Sequence, residues 1–357
     1  MSEDILNKLT IIIVSYNRHK YLKRLIKFWS NYNVNVLIID GSINKLKDDF
    51  TNFKNVTYIH SQKSFFERYL TSVNFIKTEF VILACDDEFY LPSALRSCID
   101  FLLSNPSYSS CGGRAVGFRT KEKKIYGLRQ YPKLKDFDLS DNDAKTRAHN
   151  HFSAYVPAHY YSVITTNIWK IIFSNVFKKK FNFFASYELQ VEFLITISGK
   201  SKIIPELMWL RNNEEPKIDI SSEPKIDVWW YNRKFEKEKQ IFFNHTKKII
   251  NEFNINQKLN IDELAIEELF LIYVKKIVEN TKKTFLRQIL NLVPYEIKKL
   301  IKFAKKWYYT KTHKYRPILN EKSLSEEINI LEKEKIFINQ EELNKIKSIL
   351  LNKNSND

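Results

Sequence analysis

Apolar runs that end in polar clusters recur along the first hundred residues. Residues 9–14, 34–39, 56–59 and 80–85 are short runs dominated by Ile, Val, Leu and Phe, without charged side chains. Such runs are typical of strands that are buried on both faces. The segments between them carry apolar residues at helical spacing, as do residues 93–103. This alternation predicts an α/β fold with a mostly parallel, Rossmann-like sheet flanked by helices.

Polar side chains follow three of the predicted strands. The cluster Ser15, Tyr16, Asn17 and Arg18 comes after the first, Asp40 after the second, and three consecutive acids at 86–88 after the fourth. The carboxyl ends of parallel strands meet at one edge of a sheet, where ligands bind. The sequence therefore predicts that these three loops converge on one site.

The run Asp86-Asp87-Glu88 has two interpretations. Three neighbouring carboxylates repel one another unless a cation or hydrogen-bond donors compensate, which indicates a ligand site. A solvated acidic turn after a core strand is the alternative. Arg18 at a helix start suits a phosphate or diphosphate, although an exposed Arg there is equally ordinary. No Gly-x-Gly-x-x-Gly or Walker loop occurs, which argues against a dinucleotide-binding dehydrogenase and a P-loop NTPase.

The composition indicates what kinds of partner the protein can bind. The 357 residues include 58 Lys and Arg against 41 Asp and Glu, a net charge of +17, which favours anionic partners such as nucleotides, nucleic acid or acidic lipids. Cys85, Cys98 and Cys111 have no zinc-type spacing, and we expect reduced core thiols. The N-terminal residues lack a signal-peptide core and no apolar run reaches 18 residues, so we expect a cytoplasmic protein.

The segment after residue 104 is less regular. We expect antiparallel strands near 105–120 and a polar loop over 121–143. His149, His151 and His159 match no standard metal spacing, which favours polar and aromatic packing over a metal cluster. A buried helix is predicted over 187–198, with Gly199 as its stop.

Three motifs carry a family resemblance. They are Ile-Ile-Val-Ser-Tyr-Asn-Arg at 12–18, Ile-Ile-Asp-Gly-Ser at 38–42, and Thr-Glu-Phe-Val-Ile-Leu-Ala-Cys-Asp-Asp-Glu at 78–88. In this order they resemble the nucleotide-binding half of family 2 glycosyltransferases, which have the GT-A fold. Leu-Met-Trp-Leu-Arg-Asn at 207–212 resembles a bacterial subgroup that builds surface glycans.

The resemblance implies roles for individual residues. It assigns Asp40 to the nucleobase, and Asp86 and Glu88, with Asp87 between them, to the ribose and to Mn²⁺ or Mg²⁺. Glu88 stands where the family usually has Asp. The expected contacts to the nucleotide-sugar are Ser15, Tyr16, Asn17, Arg18, Asp40, Arg68, Asp86, Asp87 and Arg211. For Arg68 a surface role is the alternative, and for Arg211 an ion pair with an acid.

For the second half of the chain, the resemblance suggests a core strand over 160–163 and a general base on the helix that follows it. The resemblance implies an acid at the start of the helix after residue 184, but the family's usual Glu-Asp pair falls on Ala185 and Ser186. The role therefore passes to Glu188 or is absent. Glu192 is the reserve, since it lies four residues from Glu188 on the same helix face. A structural ion pair is the competing interpretation of this face.

Two regions follow from the pattern: a GT-A domain over 1–220 and a helical, basic appendage over 221–357, joined by a linker near 214–227. After Pro294 a basic amphipathic helix ends in Trp307, Tyr308 and Tyr309. Such a helix either lies on an anionic membrane, at the inner face of the cytoplasmic membrane, or packs on the catalytic domain. Oligomeric state has no sequence signal.

The leading hypothesis is a metal-dependent glycosyltransferase. It would move a sugar, with inversion, from a nucleoside-diphosphate donor to a hydroxyl of a cell-surface polysaccharide or lipid-linked glycan. The alternatives are a basic nucleic-acid-binding protein on an α/β scaffold and an inactive, glycosyltransferase-like binding protein. Clustered acids at the sheet edge repel phosphates and therefore argue against nucleic acid as a partner.

Overall fold

The computed structural model describes residues 4–47, 53–213, 224–257, 265–289 and 322–351. The strands are β1 (Leu9–Ser15), β2 (Asn35–Asp40), β3 (Val56–His60), β4 (Phe80–Ala84), β5 (Phe89–Tyr90), β6 (Tyr108–Lys121), β7 (Lys124–Arg129), β8 (Asp138–Leu139), β9 (Val163–Thr165), β10 (Lys200–Asn212) and β11 (Lys322–Ser323). The helices are α1 (His19–Trp29), α2 (Phe65–Val73), α3 (Pro92–Ser104), α4 (Ala144–Ser153), α5 (Thr166–Val176), α6 (Ala185–Ser198), α7 (Ile226–Tyr231), α8 (Glu236–Gln257), α9 (Ala265–Ile289), α10 (Leu324–Lys333) and α11 (Gln340–Leu351).

The N-terminal half forms a parallel sheet in the order β3-β2-β1-β4. Ser15 at the end of β1 lies opposite Asp40 at the end of β2, so the two polar loops leave the sheet side by side. Helix α1 connects β1 to β2 and helix α2 connects β3 to β4, as the alternating pattern predicts. The α/β fold class is confirmed, and the carboxyl ends of the strands share one edge.

The central strands are apolar at every position because a hydrophobic core lies on each face of the sheet. Ile11 and Ile13 of β1 pack into the core beneath α1 and α3, whereas Ile12 between them packs into the core beneath α2, α5 and α6. Since successive side chains of a strand point to opposite faces, a strand covered on both sides needs apolar residues at every position.

The second half of the sheet is mixed. Strand β6 pairs antiparallel with β7 and β9, and parallel with β10. The predicted loop over 121–143 was wrong in part, because it contains β7. The turn before β7 has left-handed backbone at Glu122 and Lys123, with φ of 51° and 59°. Hairpins usually place Gly or Asn at such positions, so the sequence carried no turn signal.

Two other predicted element boundaries differ from those in the structure. The strand expected over 160–163 begins only at Val163, in β9. Helix α6 starts two residues earlier than predicted and ends at Ser198, before Gly199 as expected. A Cβ at Gly199 would lie 2.8 Å from Cβ of Ser109, so glycine is needed here for close approach to a neighbouring strand.

The C-terminal region is mostly helical in its described parts, as predicted, and it packs on the rest of the chain. Gln190 of α6 donates to Thr246 of α8 at 2.9 Å, and the rings of Phe152 in α4 and Phe270 in α9 lie 5.1 Å apart. Strand β11 adds to the sheet edge beside β7. The basic helix expected after Pro294 and most of the expected linker lie outside the described residues. None of the described helices is long and apolar enough to cross a membrane.

Helix α11 reaches back to the start of α3. Ser93 donates its backbone N–H to both carboxylate oxygens of Glu342 at 3.0 Å, and its hydroxyl to Oε2 at 2.7 Å. A carboxylate at a helix N-terminus satisfies N–H groups that have no partner within the helix. The end of the chain therefore caps the helix that follows the acidic loop.

Glu342→Ala should lower the free energy of unfolding by about 1 kcal/mol, since it removes a helix cap. Urea denaturation followed by circular dichroism measures the loss. Glu341→Ala is the matched control, because Glu341 lies in the same first turn of α11 but is exposed. Equal losses in the two variants would contradict the capping role.

Candidate active site

The acidic loop after β4 is buried, with Asp86, Asp87 and Glu88 each no more than 5% exposed. Asp86 accepts a hydrogen bond from the hydroxyl of Ser15 at 2.7 Å, and Nε of Arg18 lies 3.4 Å from its other oxygen. The first and fourth strand ends are thus joined directly, as the sequence predicted. The run is not a solvated turn.

Asp87 points to a different set of partners. Its carboxylate accepts a hydrogen bond from the guanidinium of Arg18, and the side-chain amide of Asn212 donates to Oδ2 at 3.1 Å. Arg24 of α1 donates to its backbone carbonyl at 3.1 Å. Residues from α1 and from the end of β10 therefore enclose this carboxylate.

Glu88 faces β10. Its Oε2 accepts the indole N–H of Trp209 at 2.8 Å, and Nε of Arg211 lies 3.6 Å from Oε1. Burial and the neighbouring Asp87 raise the pKa of Glu88 to about 8, against the opposing effect of Arg211. Burial likewise raises the pKa of Asp86 to about 6, although Arg18 and Ser15 oppose the rise. The loop holds more carboxyl groups than the surrounding cations neutralise at this low dielectric.

The ligand atoms that lie close together differ from those expected. Sγ of Cys85 and carboxylate oxygens of Asp87 and Glu88 all lie within 4.8 Å of one another, while Asp86 is turned towards Ser15. Cys85 is only partly buried, so its assignment as a core thiol was wrong, whereas Cys98 and Cys111 are buried free thiols. The two carboxylates are hard oxygen donors that suit Mn²⁺ or Mg²⁺. Burial and the neighbouring acids raise the pKa of Cys85 well above its usual value, so its protonated thiol is not a ligand for either ion.

Asp40 is fully buried and its carboxylate is already satisfied. Oδ1 accepts the N–H of Ser42 at 2.9 Å and also its hydroxyl, and Oδ2 accepts Tyr58 at 2.7 Å and lies 3.0 Å from Nε2 of His19. Burial acts to raise the pKa of Asp40, but these hydrogen bonds hold it below its usual value. Asp40 organises the loop walls and does not point a free oxygen outward.

The remaining residues of the first loop line the same edge. Asn17 has left-handed backbone, with φ of 54°, and its N–H donates to the hydroxyl of Ser42 at 2.7 Å. The ring of Tyr16 is 52% exposed and lies beneath the guanidinium of Arg68, 5.8 Å from its centroid. Arg68 is buried and donates to the carbonyl of Ser15. A Cβ at Gly41 would lie 2.6 Å from Cζ of Arg68, so only glycine leaves room for this arginine.

Glu188 lies in the first turn of α6 and is partly exposed. The hydroxyl of Tyr155 donates to Oε1 at 2.6 Å. Burial raises the pKa of Glu188, while the Tyr155 hydrogen bond opposes the rise. Burial raises the pKa of Tyr131 to about 12; the charge of Arg211 opposes this, and the charges of Glu188 and Glu88 add to it. The charges of Glu188 and of the acidic loop therefore both act on Tyr131.

Glu192, one turn further along α6, is enclosed. Its Oε1 accepts the backbone N–H groups of His159 and Tyr160 at 3.0 and 2.8 Å, and Oε2 lies 3.1 Å from Nε2 of His151. A fully buried carboxylate with these partners holds the loop before β9 in place. With both oxygens engaged inside the protein, Glu192 is poorly suited to act as a general base.

The histidines form a packed polar cluster. His151, His159 and Glu192 offer ligand atoms within 4.8 Å of one another. The ring nitrogens of His159, however, are 3.0 Å from the hydroxyl of Ser110 and 2.9 Å from that of Thr196. Both nitrogens are engaged in hydrogen bonds, in keeping with the packing that the sequence favoured.

Sequence reasoning missed several residues of this edge. Tyr131 receives a hydrogen bond from Arg211, and its ring stacks on Trp209 at 5.7 Å. Tyr131 has left-handed backbone, with φ of 43°, and no sequence motif predicts this conformation. Asn212 and Trp209 lie in the segment that resembles the family, so that segment was the available signal. Tyr155 had none beyond its place among the histidines.

Comparison with known proteins agrees with this geometry. Residues 10–158 match the family described as Glycosyl transferase family 2, which confirms the resemblance over this part of the chain. The matched residues include the β1, β2 and β4 loops that form this edge of the sheet. No curated protein sequence matches the chain.

Solved structures with a similar fold include the crystal structure of S. aureus TarS 1-349, at 10% identity and a TM-score of 0.48, covering 74% of this chain and 70% of that chain. The same TarS fragment in complex with UDP-GlcNAc is 12% identical, with a TM-score of 0.48, covering 74% and 71%. Full TarS is 9% identical, with a TM-score of 0.48, covering 74% and 42%. Likeness at this level carries no argument about activity.

The raised pKa of Glu88 predicts how stability depends on pH. The folded state holds this proton more tightly than the unfolded state, so the contribution is complete below the ordinary carboxyl range and is lost as the pH rises to about 8. In metal-free solution, the contribution of Glu88 to stability should fall by at most about 1.4 kcal/mol per pH unit between about pH 5 and pH 8.

Chemical denaturation with chelator present measures this slope for wild type and for Glu88→Gln, which cannot titrate. The slope should flatten in Glu88→Gln and persist in the control Glu122→Gln, since Glu122 is exposed on a hairpin turn. A wild-type slope retained in Glu88→Gln would show that Glu88 is not the titrating group.

Proposed function

We propose that this chain is a divalent-metal-dependent glycosyltransferase that moves a sugar from a nucleoside-diphosphate donor to a glycan hydroxyl. The observation that carries the proposal is the convergence of the β1, β2 and β4 loops, within the family match, on three buried carboxylates. A fixed group of acids at the mouth of a parallel sheet suits a ligand that arrives with its own cation.

The donor would lie across the ends of β1 and β2. The exposed ring of Tyr16 offers a flat face for the base, and Arg68 and Arg18 offer positive charge beside it. Asp40 acts indirectly, by fixing His19, Ser42 and Tyr58 as the walls of this pocket. Ser15 and Asp86 would contact the ribose.

Asp87 and Glu88 would hold the cation through their carboxylate oxygens, which lie close together at the end of β4. A bound Mn²⁺ or Mg²⁺ neutralises charge on the diphosphate leaving group without supplying a proton. Raised pKa values at Glu88 and Asp86 support this assignment, because carboxyl groups that are costly to ionise alone gain most from a cation. Arg211, beside Glu88, adds a second positive charge on the donor side.

Glu188 is the proposed general base. It would take the proton of the acceptor hydroxyl while that oxygen attacks the anomeric carbon from the face opposite the diphosphate. The bond to the diphosphate oxygen breaks and the leaving group departs with the electron pair, so the sugar carbon is inverted. The partly exposed position of Glu188, and the charges of Glu188 and Glu88 that both act on Tyr131, support this role.

The acceptor is proposed to be a cell-surface polysaccharide or lipid-linked glycan, reached from the cytoplasm near an anionic membrane. The net charge of +17 supports contact with an anionic surface. Nucleic acid is not proposed as a partner, since the acids at the sheet edge oppose phosphate unless a cation intervenes.

Glu88→Ala should abolish the metal-dependent part of donor binding. Thermal shift with a panel of nucleoside diphosphates, each with and without Mn²⁺, should show one nucleotide that stabilises wild type selectively and only with metal. Glu79→Ala, at an exposed ion pair with Lys8, should behave as wild type. Undiminished stabilisation of Glu88→Ala, or full transfer activity in EDTA, would refute the metal role.

Glu188→Gln should lower the transfer rate by about 10²- to 10⁴-fold, the usual contribution of a general base, and leave nucleotide binding unchanged. Release of nucleoside diphosphate from the selected donor measures the rate. The anomeric configuration of the product, read by NMR, tests inversion. An undiminished rate in Glu188→Gln, or a product that retains the donor configuration, would contradict this mechanism.

A further inference from the structure

The carboxylate of Glu188 has two different environments. Oε1 is fixed by the hydroxyl of Tyr155 at 2.6 Å, whereas Oε2 accepts no hydrogen bond from the part of the chain that the structure describes. One oxygen is therefore held by the protein and the other remains for a substrate. A hydrogen bond of this length to a charged acceptor is strong and directional.

Tyr155 is itself held from two sides. Its ring lies 5.9 Å from that of Phe152 in α4, and its carbonyl accepts Nζ of Lys133 at 3.3 Å. On the other side Tyr273 of α9 lies 4.6 Å from the Tyr155 ring and 6.1 Å from Phe152. The support of the base thus includes a residue from the C-terminal region, far outside the family match at 10–158.

Helix α9 is firmly seated at this point. Phe270 and Val274, on either side of Tyr273 along the helix, are at most 1% exposed, and Phe270 lies 5.1 Å from both Phe152 and Phe193 of α6. A helix packed against both α4 and α6 restrains the tyrosine that packs between them. The contact is therefore suited to transmitting orientation and is not a loose surface touch.

We propose that Tyr155 is a positioning residue that orients the Glu188 carboxylate towards the acceptor hydroxyl, and that Tyr273 of the C-terminal helix holds Tyr155 in place. The proposal rests on the proposed role of Glu188 as base. It gives the C-terminal region a part in the chemistry, through Glu188, in addition to its packing.

Several charged and titratable groups face Glu188 from the elements around it. They are Glu192 on α6, Arg211 on β10, Tyr131 before the short helix at 132–136, Tyr155 and Tyr160 in the loop before β9, and Tyr273 on α9. Glu192 disfavours the carboxylate form of Glu188, whereas Arg211 and the Tyr155 hydroxyl favour it. Removal of that hydroxyl alone should therefore raise the pKa of Glu188.

The test is Tyr155→Phe in the full chain, which keeps the ring and removes only the hydroxyl. NMR titration of ¹³C-labelled Glu side-chain carboxyls, with the Glu188 signal assigned through Glu188→Gln, should show the pKa of Glu188 raised by about one unit. Transfer of the donor sugar to water, measured as nucleoside diphosphate release, should lose about tenfold in rate at pH 7, with its acidic limb moved to higher pH. Nucleotide-induced thermal shifts should not change.

Tyr231→Phe is the matched control, since Tyr231 is 57% exposed. Tyr273→Leu provides a second variant if Tyr155→Phe does not fold, and it should move the acidic limb in the same direction by a smaller amount. An acidic limb and a Glu188 signal that stay at their wild-type positions in these variants would overturn the proposal. Loss of nucleotide binding together with the rate would also overturn it, because the effect would then be structural.

The experiments distinguish failure of the proposed base, Glu188, from failure of the proposed positioning residue, Tyr155. If Glu188→Gln keeps the full rate, the base itself is wrong. If Glu188→Gln abolishes transfer while Tyr155→Phe keeps the wild-type pH profile, Glu188 stands as base and only the positioning role fails.

Discussion

Three consecutive buried carboxylates after β4 are the constraint on which this structure depends. Each carboxylate removed from water needs a counter-charge or hydrogen-bond donors, or it remains protonated. The protein supplies Ser15 and Arg18 from the β1 loop, and Trp209 and Arg211 from β10. The two halves of the sheet are thereby joined at the point where we propose that the donor binds.

This compensation also accounts for the course of β10. Trp209 and Leu210 pair with the short strand β5, directly after the acids, while the same strand runs along β6. Trp209 stacks on Tyr161 at 4.3 Å and on Tyr131 at 5.7 Å, so its N–H is aimed at Glu88 by packing on both sides. The aromatic stack thus holds the hydrogen bond between Trp209 and Glu88 in place. The negative charge of the acidic loop that these partners do not neutralise is available to bind a cation.

The N-terminal half could be predicted because its signals are local. Apolar runs identify buried strands, and the polar residues after them mark the sheet edge. The β7 hairpin escaped prediction, since Glu122 and Lys123 adopt left-handed backbone without Gly or Asn. Contacts across long sequence separations also escaped, such as Glu88 with Trp209 and Glu188 with Tyr155, because spacing along a chain carries no record of them.

Asp40 shows a subtler limit. Its position at a strand end was predictable, but its full set of hydrogen bonds from Ser42, Tyr58 and His19 depends on how three loops fold together. The same holds for Cys85, whose place beside Asp87 and Glu88 follows from the direction in which the chain leaves β4. A sequence motif can identify the residues of a site. Which of their atoms are available to a ligand depends on the hydrogen bonds and packing of the folded chain.

The account rests on the claim that the acidic loop exchanges a proton for a cation. Calorimetric titration of Mn²⁺ at pH 7, repeated in two buffers with different ionisation enthalpies, counts the protons released on binding. With the pKa of Glu88 at about 8, the account predicts release of about one proton in wild type and almost none in Glu88→Gln. Absence of Mn²⁺ binding, or binding without proton release in wild type, would contradict it.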